Sequence, residues 1–189
     1  MIDKKEQILE AATRLFSERG FENTPISLIC ETVGVSKGLV FHHFKSKNEL
    51  LRAIFSSTTK KIIELNENHA HEQSAHEQSA HEQLLDLVEN FFVQLKSDKM
   101  FFQLNLTMIV QPNTREILND LIKERASFIM NSVQNIFNEI NPENSNLLSY
   151  TFIAELDGIA LNYLSVFDDY PLDILKEGLL KKYKQLDKK

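Results

Sequence analysis

Cysteine, proline and glycine are scarce in this chain of 189 residues, and each shortage narrows what it can be. A single cysteine, Cys30, excludes an internal disulfide and suits a reducing compartment, so a cytoplasmic protein is expected. Four prolines and five glycines leave few chain breakers, which predicts long helices with short turns. No apolar run reaches the roughly 18 residues of a membrane-spanning helix, so no membrane partner is expected. The opening stretch MIDKKEQILEAATRLF is charged and amphipathic, unlike a secretory signal peptide. Almost no segment alternates with period two, and the fold class is read as all-α. Paired catalytic carboxylates, a nucleophile motif and a phosphate loop are all missing. An enzyme therefore ranks last among the functions considered, with no catalytic residue, metal or cofactor assigned.

What the chain does have is a core and an uneven charge. Hydrophobic residues make up 42% and charged residues 25%, enough for a packed interior and a soluble surface. The net charge of −6 looks wrong for a nucleic-acid binder until it is divided along the chain. Between Ser36 and Lys61 six cations (Lys37, Lys45, Lys47, Arg52, Lys60, Lys61) face Glu49 alone, a local balance of +5. A basic patch of that kind can meet phosphates whatever the overall charge.

Apolar spacing predicts helix one over Lys4–Arg19, stopped by Gly20, with Phe21 tucked back beneath it. Thr24-Pro25 reads as a hydroxyl cap followed by proline at the first position of helix two, Ile26–Val33. Gly34 makes the turn, Ser36 caps helix three over about Lys37–Phe44, and Lys47 opens helix four. Small Cys30, then Gly34, then Val35 and Val40, is the spacing a helix-turn-helix needs, although an ordinary helical hairpin has the same pattern.

Two longer stretches, ILEAATRLFSERGFENTPISLIC and GVSKGLVFHHFKSKNELL, separate these readings. They make about the first 55 residues resemble the N-terminal domain of the tetracycline-repressor (TetR) family of bacterial regulators. The resemblance implies a helix-turn-helix DNA-binding domain at 1–46. It also implies a ligand-binding and dimerisation domain at 47–189, with helix four joining the two. Apolar spacing gives about nine helices in all, and helix four, which alone belongs to both regions, is expected to transmit the effector's signal. DNA contacts carried over by the resemblance are Thr24, Ser36, Lys37, Gly38, Leu39, Phe41, His42, His43 and Lys47. Thr24 would give a hydroxyl to phosphate, Lys47 a point charge, and Lys37 a side chain to a guanine edge. Leu39 departs from the family's frequent threonine, Phe41 from its common tyrosine, and His42 stands where a tyrosine or another residue is usual. His43 reads equally as a phosphate contact and as packing beneath helix three.

Further on, Ala-His-Glu-Gln recurs at 70, 75 and 80 within the pentapeptide repeat 70–84. Five residues turn a helix by about 500°, so His71, His76 and His81 spiral around it instead of lining one face. A metal- or pH-responsive sensor built on this repeat is the alternative function; the bland reading is a surface segment that extends helix four or five. Helix six, Met100–Val110, is expected to close at Pro112, and helix seven to run to Asn141-Pro142. Helix eight, about Ser145–Phe167, is apolar nearly all round and needs cover on both sides. A homodimer through helices eight and nine would supply it, with a buried helix inside a larger monomer core as the other solution. The effector is expected to be a small apolar or amphipathic molecule. Its candidate contacts are Phe102, Asn105, Met108, Asn131 and Asp157, chosen from polar or bulky side chains on otherwise apolar helices.

Overall fold

The computed structural model describes the backbone of residues 3–72 and 78–186, and the side chains of 3–63 and 78–186. Among the described residues there are nine helices and no strand. They are α1 (Lys4–Arg19), α2 (Ile26–Val33), α3 (Lys37–His43), α4 (Lys47–Glu72), α5 (Ala80–Ser97), α6 (Lys99–Val110), α7 (Pro112–Ile140), α8 (Ser145–Ser165) and α9 (Leu172–Lys184). Local signals set most of these bounds. Asp3 caps α1, Ser36 caps α3 by accepting from Leu39 N at 3.2 Å, and Gly20 and Gly34 end α1 and α2 at φ 80° and 71°.

Pro112 does not close α6. It occupies the first position of α7, where its missing N–H costs nothing, and only Gln111 separates the two helices. The junction of the second and third copies of the repeat also has a local purpose. Ser79 and Glu82 form a reciprocal capping box that starts α5, and those hydrogen bonds hold the Glu82 carboxyl below its ordinary pKa. His81 follows within the first turn; the His71 side chain and all of His76 lie outside the described residues. Among the described residues no three His, Cys, Asp or Glu side chains are grouped to hold a metal ion.

The chain divides into two compact units, residues 1–61 with 103–123, and 62–102 with 124–189. The boundaries fall inside α4, α6 and α7, so three helices, and not α4 alone, carry chain from one unit to the other.

The first unit buries Ile8, Ala12, Leu15 and Phe16 of α1 with Ile29, Cys30, Val40 and Phe44, and adds Leu50, Leu51, Ile54 and Phe55 of α4 and Leu104, Met108 and Leu118 from α6 and α7. Phe21 sits edge-on to Phe16 with ring centres 5.2 Å apart. Polar ties bind the same elements. Arg52 donates to both carboxylate oxygens of Asp120, at 2.7 and 2.6 Å, and to the Ile117 carbonyl at 2.8 Å. Thr58 donates to Asn105 Oδ1 at 3.1 Å inside the core.

The second unit is built on Leu84, Val88, Phe92 and Leu95 of α5, with Val133 and Phe137 of α7, Phe152 and Ile159 of α8, and Leu172 and Tyr183 of α9. Phe137, Phe152 and Tyr183 form an aromatic triangle with centre separations of 5.9, 6.1 and 5.1 Å. The Tyr183 hydroxyl donates to Glu155 at 2.8 Å, and burial beside that carboxylate raises the phenol's pKa.

Candidate nucleic-acid interface

The interface is assembled from α2, α3 and the start of α4. Gly34 adopts the left-handed conformation that lets α3 turn away from α2, with the Gly34 and Val35 amides both donating to the Cys30 carbonyl at 2.9 and 3.0 Å. Cys30 is a small buried residue at the crossing. On α3, Val40 is fully buried and Phe44, just beyond it, nearly so; these two seat the helix on the core. That registration turns Lys37, Gly38, Phe41 and His42 outward, with Leu39 and His43 half-buried at the flanks. The rings of His42 and His43 meet edge-on at 5.3 Å. Ser36 stands exposed at the head of the helix with its hydroxyl engaged in the cap.

Lys47 lies beside this surface at the first position of α4. Its ammonium sits 4.3 Å from the centre of the Phe21 ring and donates to the Glu22 carbonyl at 3.4 Å. Partial burial lowers its pKa, and the Glu22 carboxylate pulls the other way.

Thr24 is a correction. Its side chain is fully buried, and its hydroxyl is shared between the carbonyls of Leu15 at 3.2 Å and Gly20 at 2.8 Å, at the C-terminal end of α1. It has no hydroxyl to offer a phosphate; Pro25, not Thr24, is the N-cap of α2. Arg52 is a second correction, because its place in the basic count is cancelled by Asp120 across the first unit. Lys37 and Lys45 do stand exposed.

The effector candidates are divided between the two units. Asn105 and Met108 are packed into the core of the first unit, Asn105 satisfied by Thr58. Phe102 belongs to the second unit, edge-on to Phe91 at 5.9 Å. Asn131 is exposed on α7, and Asp157 is open to solvent on α8, although neighbouring atoms crowd its carboxyl enough to raise its pKa. Asp157 shares the exposed side of α8 with Leu147, Tyr150, Ala154 and Leu161. A shallow groove in the second unit is lined instead by Lys96, Tyr163, Tyr170 and Pro171–Ile174.

Charge counting and periodicity missed three features. Arg125 is a buried cation on α7, its pKa lowered to about 10 by desolvation, and an arginine that follows Lys123 and Glu124 gives no warning of burial. Asp120 neutralises Arg52. Asn113 donates to Glu22 at 3.1 Å. The last two are pairings far apart in the chain and carry no local signal.

A short helix seated by its inner face, presented after a left-handed glycine and flanked by a helix-start lysine, defines a helix-turn-helix reading head. Residues 8–54 match the family described as bacterial regulatory proteins, tetR family. The chain is 37% identical over 62 residues to the transcriptional repressor AcnR of Corynebacterium diphtheriae, a match spanning about a third of each protein (33%). It is 26% identical over 183 residues to the regulator HbdR of Aromatoleum sp., covering 94% of this chain and 78% of that one. A transcriptional regulator from Aquifex aeolicus shares the fold with a TM-score of 0.71 and 27% identity, over 97% of this chain and 99% of the other. Residues 8–54 therefore form a DNA-binding domain of the tetR family of bacterial regulatory proteins. The relative and the solved structure that match along most of the chain are transcriptional regulators. No helix among the described residues is long and apolar enough to cross a membrane.

Proposed function

We propose that the protein is a cytoplasmic, ligand-responsive repressor that binds a near-palindromic operator as a homodimer and is released by a small apolar or amphipathic effector. The functional division is 1–46 for DNA and 47–189 for effector binding and dimerisation. The outward face of α3 carries this reading: Lys37, Gly38, Phe41 and His42 project together from a helix held by Val40 and Phe44, with Lys47 alongside. Lys37 and Leu39 select bases, Leu39 by contact with a thymine methyl. Lys47, His42 and the amides at the start of α2 hold phosphates and set the register.

Dimerisation is supported by α8, whose outer side exposes Leu147 (64%), Tyr150 (60%), Ala154 and Leu161 (44%) at helical spacing. Ile174 of α9 is exposed as well, at 72%. A second copy related by a two-fold axis covers such a self-complementary face and places two reading helices in successive major grooves. The effector acts by binding the DNA-competent and released arrangements unequally.

The test is a gel shift on the DNA upstream of the protein's own gene at several salt concentrations. Retarded complexes that weaken in Lys37→Ala and Lys47→Ala, with a shallower salt dependence, are expected. Binding indifferent to both substitutions overturns the reading.

A further inference from the structure

The contact between Asn113 and Glu22 joins residues that the proposed function leaves unused. Asn113 is the second residue of α7 and donates from Nδ2 to Glu22 Oε1 at 3.1 Å. Its turn is firmly placed, because the neighbouring Thr114 is buried and its hydroxyl donates to the carbonyls of Met108 and Gln111 at 2.8 and 3.1 Å. Glu22 lies in the loop between α1 and α2. Its carbonyl accepts from Lys47, and its carboxylate is close enough to act on that ammonium electrostatically.

A carboxylate beside a phosphate-binding ammonium is a rival to the phosphate. It offers Lys47 the same charge-assisted hydrogen bond that a backbone phosphate oxygen would. Which of the two Lys47 takes depends on where the carboxylate is held. We propose that Asn113 is a positioning residue for DNA binding, holding the Glu22 carboxylate to the first turn of α7 so that Lys47 is left to a phosphate. The inference rests on the reading of Lys47 as a phosphate anchor.

Asn113 stands at the head of a helix that continues unbroken to Ile140, well into the second compact unit. A displacement of that first turn releases the Glu22 carboxylate to Lys47 and withdraws the anchor from DNA. The switch needs no movement of α4.

The test uses the full-length protein with two labelled duplexes, the upstream fragment and DNA of arbitrary sequence, because a phosphate contact contributes to both. Asn113→Ala is expected to weaken binding to both several-fold and to flatten the salt dependence toward that of Lys47→Ala. Adding Glu22→Gln, which removes the rival charge, restores affinity and slope. Asn113→Asp, which repels the Glu22 carboxylate from α7, weakens binding more than Asn113→Ala. Unchanged affinity and slope in Asn113→Ala overturn the proposal, and so does failure of Glu22→Gln to restore them, since loss through damaged folding is not repaired by removing a charge. Lys47→Ala measured in parallel separates the two readings. If it weakens binding while Asn113→Ala does not, only the positioning role falls; if it has no effect, the anchor reading falls with it.

Discussion

Helices α3 and α8 each turn one face inward and leave the other without a partner, and the difference between those outer faces indicates what each one meets. On α3 the exposed set is Lys37, Gly38, Phe41 and His42, with Lys45 just beyond: cationic, hydrogen-bonding and narrow enough at the glycine for close approach. On α8 it is Leu147, Tyr150, Ala154 and Leu161, with Asp157 carrying its only exposed charge. A polyanion attracts the first face and gains little from the second. Another apolar surface of the same kind does the reverse. Both faces are possible because the inner residues, Val40 and Phe44 in one unit and Phe152 and Ile159 in the other, already anchor their helices.

The contrast breaks most completely if α8 is made charged. Leu147→Glu with Leu161→Glu should yield monomers in sedimentation experiments and reduce operator affinity by about 10²–10⁴-fold, because two linked reading heads become one. A dimer that survives both substitutions would remove α8 from the interface. Next in size is the anchor on the other face. Lys47→Ala should weaken binding by roughly tenfold and lower the salt slope by about one, almost uniformly across DNA sequences. Lys37→Ala should instead discriminate among sequences, which competition between operator variants measures.

A smaller effect concerns the first unit's own integrity. The Arg52 hydrogen bonds hold the Asp120 carboxyl well below the ordinary carboxylate range. A depressed carboxylate pKa contributes stability that is present above the unfolded value and lost as pH falls toward the folded one. The melting temperature of the wild type should therefore drop more steeply on acidification than that of Asp120→Asn, and parallel curves would show the exposed pair to be idle. Smallest is Phe41→Tyr, which places a hydroxyl on the α3 face. It should tighten DNA binding by roughly threefold, the value of one exposed hydrogen bond, in a fluorescence titration.

How far each face was legible follows from the range of the signals that write it. Caps and breakers act over three or four residues, so Gly20, Gly34 and Ser36 mark the ends and start of α1, α2 and α3 as the sequence reading places them. Pro112 reads wrongly on the same grounds, as the end of α6: proline serves both after a helix and at the start of one, and the single-residue linker puts it at the start of α7. Thr24 shows the limit more sharply. A threonine before proline reads as a cap, yet α1 ends beside it with carbonyls to satisfy, and its hydroxyl turns inward. Asn105 looked like a ligand contact because it is polar on an apolar helix; a threonine 47 positions earlier satisfies it instead.

The sequence by itself determined that the chain is helical, where its turns fall and that its first quarter resembles a DNA-reading head, because those properties depend on residues adjacent in the chain. Tertiary structure alone decided which polar groups stay available. Arg52 is taken by Asp120, Thr24 by α1, and Glu22 by Asn113, pairings that span 9 to 91 positions. A hydrogen bond needs its partners within about 3 Å. No spacing rule along a chain can specify that distance until the helices have packed.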